Sequence, residues 1–113
     1  LQTVVELPEF IRRATKILSV TDREEIVAFI ALNPLSGALI QETGGLRKLR
    51  WARAGHGKRS GARVVYYFHN DTMPLYLLTV FAKGERENMS KAQRNELAKL
   101  TTVLVQTWKR KQH

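Results

Sequence analysis

The stretch Leu75–Ala82, LYLLTVFA, carries eight consecutive residues without a charge. A half-exposed strand alternates polar and apolar positions, so a run this apolar belongs to a strand that is central in a sheet or covered on both faces. It cannot be a bilayer span, which needs about 20 apolar residues. Whatever this chain folds into must therefore bury that strand.

The neighbouring segments supply a sheet and its cover. Thr3–Leu7 reads as a short first strand, and Pro8 suits the first turn of a helix, where its missing N–H costs nothing. Phe10, Ile11, Ala14, Ile17 and Leu18 recur at helical spacing and give one apolar face. Thr21-Asp22-Arg23-Glu24 has the form of a capping box ahead of Ile26, Val27, Phe29 and Ile30, predicting a second helix that closes near Asn33-Pro34. These two helices are expected to pack as an antiparallel pair on the sheet. Residues 34–45 are expected to be a loop ending in Gly44-Gly45.

Leu46–Ala52 reads as a strand with Lys48 and Arg50 on one face and Arg47, Leu49 and Trp51 on the other. Gly55–Gly61, with three glycines in GHGKRSG, is expected to be a hairpin loop. Arg63–His69 is rich in β-branched and aromatic residues, Asn70–Pro74 turns the chain, and Leu75–Lys83 is the apolar strand. Ser90-Lys91-Ala92-Gln93 repeats the capping pattern before a helix whose stripe is Leu97, Leu100, Leu104 and Trp108; Lys109–His113 is expected to fray. The predicted order is β-α-α-β-β-β-α, an α+β domain over residues 1–113.

Charge narrows the partner. The net charge of +9 is not spread evenly. Residues 1–45 hold four Lys/Arg against six Asp/Glu, residues 46–83 hold eight against one, and residues 84–113 hold seven against three. Between Leu46 and Phe68 there are seven basic residues and no carboxylate. Segregation of this kind points to an acidic partner such as nucleic acid rather than to general solubility. Cysteine is absent, so disulfides and thiolate metal sites are excluded, and three scattered histidines form no metal motif. With no charged-then-apolar leader at its start, the expected address is cytoplasmic, with no membrane partner.

The blocks TGGLRKLRWA, GKRSGARVVYYFH and LYLLTVFAK together resemble the RelE/HigB superfamily of toxins from type II toxin–antitoxin systems, in particular the HigB-like branch with a helix-turn-helix antitoxin. The resemblance implies a small, twisted, mainly antiparallel sheet packed on two N-terminal helices. It implies an mRNA interferase, an endoribonuclease that acts on translated message in the ribosomal A site without metal or organic cofactor and uses the substrate 2′-hydroxyl as nucleophile. A cognate antitoxin would neutralise it, and operator DNA would be met only through that complex. On this pattern Lys48, Arg50, Arg63 and Lys83 fall at the catalytic basic positions.

Cleavage of that kind needs a proton acceptor, cations for the charge that builds on phosphorus, and a proton for the leaving 5′-oxygen. Guanidinium groups match phosphate in a forked geometry, so Lys48, Arg50, Arg63 and Lys83 suit the second task. Arg53, Lys58 and Arg59 are expected to contact ribosomal RNA, with Arg12, Arg13 and Lys16 as a wider footprint. Alternation puts Tyr67 on the face of Arg63, where it could stack on a base. Several members of the superfamily carry a tyrosine near the C-terminus. This chain has none after Tyr76, which leaves His69, Glu85, Glu87 or Lys48 as proton acceptors. Two other functions fit a basic chain of this fold: a ParE-like inhibitor of DNA gyrase, and a non-catalytic RNA- or ribosome-binding module.

Overall fold

A computed structural model describes residues 2–52, 61–84 and 89–112. Among them, the chain forms β1 (Val4–Glu6), α1 (Pro8–Ile17), α2 (Val20–Leu32), β2 (Ala38–Leu39), β3 (Leu46–Trp51), β4 (Ala62–Tyr67), β5 (Leu75–Ala82) and α3 (Lys91–Lys111). The five strands make one sheet in the order β1-β5-β4-β3-β2. Only β1 runs parallel to its neighbour; the other pairings are antiparallel. The α+β class and the mainly antiparallel sheet match the expectation. No helix among the described residues is long and apolar enough to cross a membrane.

The apolar strand β5 lies inside the sheet, between β1 and β4, and is buried along most of its length. One face of the sheet carries Ala62, Val64, Tyr66, Leu75, Leu77 and Val80 against Phe10, Ala14 and Leu18 of the first helix region and Ile26 and Ile30 of α2. The other face carries Leu46, Val65, Tyr67, Leu78 and Phe81 beneath Leu97, Leu104, Val105 and Trp108 of α3. Both faces are thus covered, as a strand with no wet side requires.

A β-bulge sets the phase of the two faces. Val65 pairs with Thr79 but the next residue, Tyr66, pairs with Leu77, so Leu78 is an extra residue in β5. Under strict alternation Leu77 and Lys83, six residues apart, would share a face. The extra residue keeps Leu77 in the helix-covered core while Phe81 and Lys83 turn to the opposite side. Farther along β5, where β1 no longer pairs with it, Arg13 donates from Nε to the Val80 carbonyl at 2.6 Å.

Several local details differ from the sequence reading. The α2 cap is Ser19, whose Oγ accepts from the Asp22 amide at 3.0 Å, rather than Thr21. Ser19-x-x-Asp22 is itself a capping pattern, and α1 ends early enough for the earlier residue to serve. The loop over 34–45 contains β2, which pairs Ala38 with Lys48 and Leu39 with Arg47. On α3 the buried stripe runs through Leu97, Thr101, Leu104, Val105 and Trp108, while Leu100 stands at its exposed edge. The helix also continues through Lys111 instead of fraying at Lys109. Its Ser90–Gln93 capping box forms as predicted.

Candidate functional site

Strand pairing gathers the cations. Arg50 on β3 stands directly opposite Arg63 on β4, and Lys48, two residues before Arg50, shares their face. Side chains opposed in this way have Cβ atoms roughly 4.5–5.5 Å apart, and like charges so placed destabilise a sheet. Two guanidiniums in facing positions are therefore an electrostatic cost that packing alone does not explain. Lys83 follows the last residue of β5; its backbone N–H donates to the Gly61 carbonyl at 2.9 Å, adding one rung beside Arg63. Alternation carries it to the same side.

The environment of the three is uneven. Arg63 is buried, with 7% of its surface exposed, and its Nη1 lies 3.4 Å from the Ala62 carbonyl. Lys48 is half-buried, and Arg50 is exposed. Burial holds the Lys48 ammonium below its ordinary value, and the positive charges of Arg63 and Arg50 push it further down. Lys48, Arg50 and Arg63 thus lie close enough for the two guanidinium charges to act on the ammonium.

A cleft of about 870 Å³ opens beside these cations. Lys48 and Arg50 line it from β3, Ser36, Leu39 and Gln41 from the β2 segment, and Met89 and Arg94 from the start of α3. The partner of Lys48 on β2 is Ala38, too small to cover the ammonium. The β2 segment is held in place from below. Tyr66 Oη donates to the Pro34 carbonyl and accepts from the Gly37 amide, both at 2.8 Å. Arg47 Nη1 donates to the Gly37 carbonyl at 2.8 Å and to the Leu35 carbonyl at 3.2 Å. A Cβ on Gly37 would sit 2.8 Å from the Tyr66 ring, so the close approach requires glycine.

Tyr67 shares the face of Arg63 but not its location. It lies four residues farther along β4, about 13 Å at strand rise, opposite Leu46. It is 6% exposed, and its Oη is 3.2 Å from His69 Nδ1. Burial raises its pKa. Alternation predicts the face and says nothing about position along the strand, which is why the expected neighbour of the basic site sits among core residues instead. His69, stacked on Tyr67 with ring centroids 6.1 Å apart, lies beyond the end of β4, farther still from Arg63. On the first helix, Arg12 is 3.8 Å from Glu9 and Arg13 is bound to Val80. Arg53, Lys58, Arg59, Glu85 and Glu87, together with the Gly-rich hairpin loop, lie outside the described residues.

Sequence reasoning passed over Arg94, because the capping motif and apolar stripe of α3 say nothing about which helix turn faces the sheet. Among the described residues no cluster of His, Asp or Glu has the makings of a metal site.

A facing pair of arginines, a lysine of lowered pKa beside them and an open cleft on a five-stranded sheet mark a basic α+β protein whose cleft has the charge to suit an anion. A family profile described as the RelE toxin of the RelE/RelB toxin–antitoxin system matches residues 9–112, and the chain belongs to that family. It is the toxin of a type II toxin–antitoxin system, an mRNA interferase. The fold is similar to that of the E. coli toxin RelE, solved in the free state as a double arginine-to-alanine variant. The likeness has a TM-score of 0.56 and 17% identity, over 76% of this chain and 87% of that one.

Proposed function

We propose that the chain, acting as a single domain over residues 1–113, cleaves mRNA in the ribosomal A site through the substrate's own 2′-hydroxyl. The 2′-oxygen bonds to the adjacent phosphorus as the bond to the 5′-oxygen breaks, leaving a cyclic phosphate on one side and a 5′-hydroxyl on the other. Arg50, Arg63 and Lys83 meet the charge that builds on the phosphoryl oxygens. Lys48, as the neutral amine toward which burial and the neighbouring guanidiniums move it, accepts the 2′-hydroxyl proton, and the departing oxygen takes a proton from solvent. The observation that carries this reading is Arg50 facing Arg63 with Lys48 beside them, three like charges gathered on one face where a phosphate would be attracted. The same positive field repels a divalent cation, which supports cleavage without a protein-bound metal or other cofactor.

Arg53, Lys58 and Arg59 anchor the toxin on ribosomal RNA in this proposal, and Tyr67 serves the fold under α3 rather than stacking on a base. The sequence blocks around Leu46–Ala52 and Gly57–His69 favour the HigB-like branch, with a helix-turn-helix antitoxin as partner, operator DNA reached through that partner, and a cytoplasmic setting. Primer extension on a message with purified ribosomes tests the reaction. Cuts confined to the translated frame are expected, with a rate that rises with pH until Lys48 is neutral. Intact message in cells whose chromosomes are broken would overturn the reading in favour of gyrase inhibition. Replacing Lys58 and Arg59 by alanine is expected to weaken ribosome association more steeply as salt rises; unchanged co-sedimentation would remove that assignment.

A further inference from the structure

We propose that Arg94 is a phosphate-binding residue of the nuclease cleft, gripping the RNA backbone at a linkage next to the one that is cut. The inference rests on the nuclease reading and adds a residue from a different element. Lys48 and Arg50 form one wall of the cleft from β3, and Arg94 forms part of the facing wall from the first turns of α3. The space between them, about 870 Å³, lies in the upper part of the range of about 300–1,000 Å³ that holds a drug-sized ligand, and so exceeds what a single phosphate fills. A strand of RNA with its scissile phosphate on the sheet residues presents another phosphate toward the helix.

Among the described residues the Arg94 side chain makes no hydrogen bond or ion pair that accounts for it. Its Nε is buried and makes no hydrogen bond, a condition shared among the described residues only by Thr79 Oγ1. A buried guanidinium nitrogen without an acceptor is unfavourable, and arginine ordinarily fills its fork with a carboxylate or phosphate. Arg94 is the fourth residue after the Ser90 cap, where the positive end of the helix dipole disfavours a cation. Burial without an acceptor, an adverse dipole and a neighbouring cluster of like charge all weigh against an arginine here. An incoming phosphate reverses each of them, with a small rotation of the side chain to present its fork to the cleft.

The test uses full-length toxin, ribosomes stalled with one cleavable codon in the A site, and single-turnover rates. The messages are synthetic, each with one backbone linkage flanking the cut replaced by an uncharged methylphosphonate. Arg94→Ala is expected to slow cleavage roughly 10- to 100-fold, the effect of losing one charge-assisted contact, and Arg94→Lys to recover part of it. With unaltered toxin, one methylphosphonate position slows cleavage to a similar degree; with Arg94→Ala that position costs nothing further. A role in folding alone would leave the methylphosphonate penalty intact in Arg94→Ala, and that result overturns the proposal. Should Arg94→Ala fold poorly, Arg94→Gln is carried through the same pairing and read the same way. If Arg94→Ala cuts at the full rate while Arg63→Ala does not, this inference falls and the nuclease reading stands; if both cut at the full rate, the nuclease reading falls with it.

Discussion

The two faces of the sheet solve opposite problems. The face under α1 and α2 is lined by Ala62, Val64, Tyr66, Leu75, Leu77 and Val80, with partly buried Leu49 and Trp51 at its margin, where Trp51 meets Phe29 edge-on at 5.7 Å. The face under α3 is apolar only where the helix reaches, around Leu46, Val65, Tyr67 and Phe81. Beyond it stand Lys48 and Arg50, which line the cleft, and Arg63, which faces Arg50 from β4 without lining it. In β4 the even positions Val64 and Tyr66 are core, and the odd positions divide: Val65 and Tyr67 are core under α3, while Arg63 faces Arg50 at the candidate site. The face under α1 and α2 is given to packing, whereas the face under α3 divides along its length between packing and the candidate site.

That separation can be broken by substitution. Arg63→Ala is expected to lower cleavage of translated message about 10²- to 10³-fold, as loss of a transition-state donor does, while circular dichroism and the unfolding midpoint change little. A fully active variant would end the comparison. Leu77→Ala, on the closed face and fully buried, is expected to cost about 2–5 kcal/mol of stability by denaturant unfolding, with cleavage per folded molecule unchanged. Reduced activity in the folded fraction would show that the faces are not independent.

Tyr66→Phe probes a link between them. The Tyr66 ring is in the core, but its hydroxyl holds the Pro34–Gly37 segment that leads into the cleft wall. Removing it leaves the Gly37 amide without that acceptor and is expected to cost about 1–3 kcal/mol, with a smaller loss of cleavage. The smallest effect concerns Lys48. Its pKa in the folded chain lies below the ordinary 10.5, so the folded state disfavours its charged form. The sign follows: Lys48 weighs against folding at neutral pH, and the burden lifts as pH rises through the lowered value toward the ordinary one. Lys48→Met is expected to melt slightly higher than the unaltered protein at pH 7 while losing activity, with the gap in melting temperature closing at alkaline pH. A lower melting temperature at pH 7 would contradict this sign.

Much of this was legible beforehand because it depends on period and local chemistry. The interior position of β5, the two N-terminal helices, the Ser90 capping box and the shared face of Lys48 and Arg50 all follow from residues within a few positions of one another, whereas Arg63 joins them through the β3–β4 register. What escaped depends on tertiary contact. Two residues, Ala38 and Leu39, are too few to show alternation, and β2 exists because β3 offers them an edge. The bulge at Leu78 is invisible in a run that is apolar at nearly every position. Arg94 becomes part of the cleft only once α3 has docked, and the neighbourhood of Tyr67 is decided by where that same helix covers the sheet.

The outermost strands are also the briefest: β1 has three residues and β2 has two. Two molecules that meet rim to rim find only a couple of rungs on which to extend each other's ladder, too short a template for stable growth. A protein with long β-branched strands at its centre thereby resists joining copies of itself into larger aggregates, with no bulky protective segment needed along either margin.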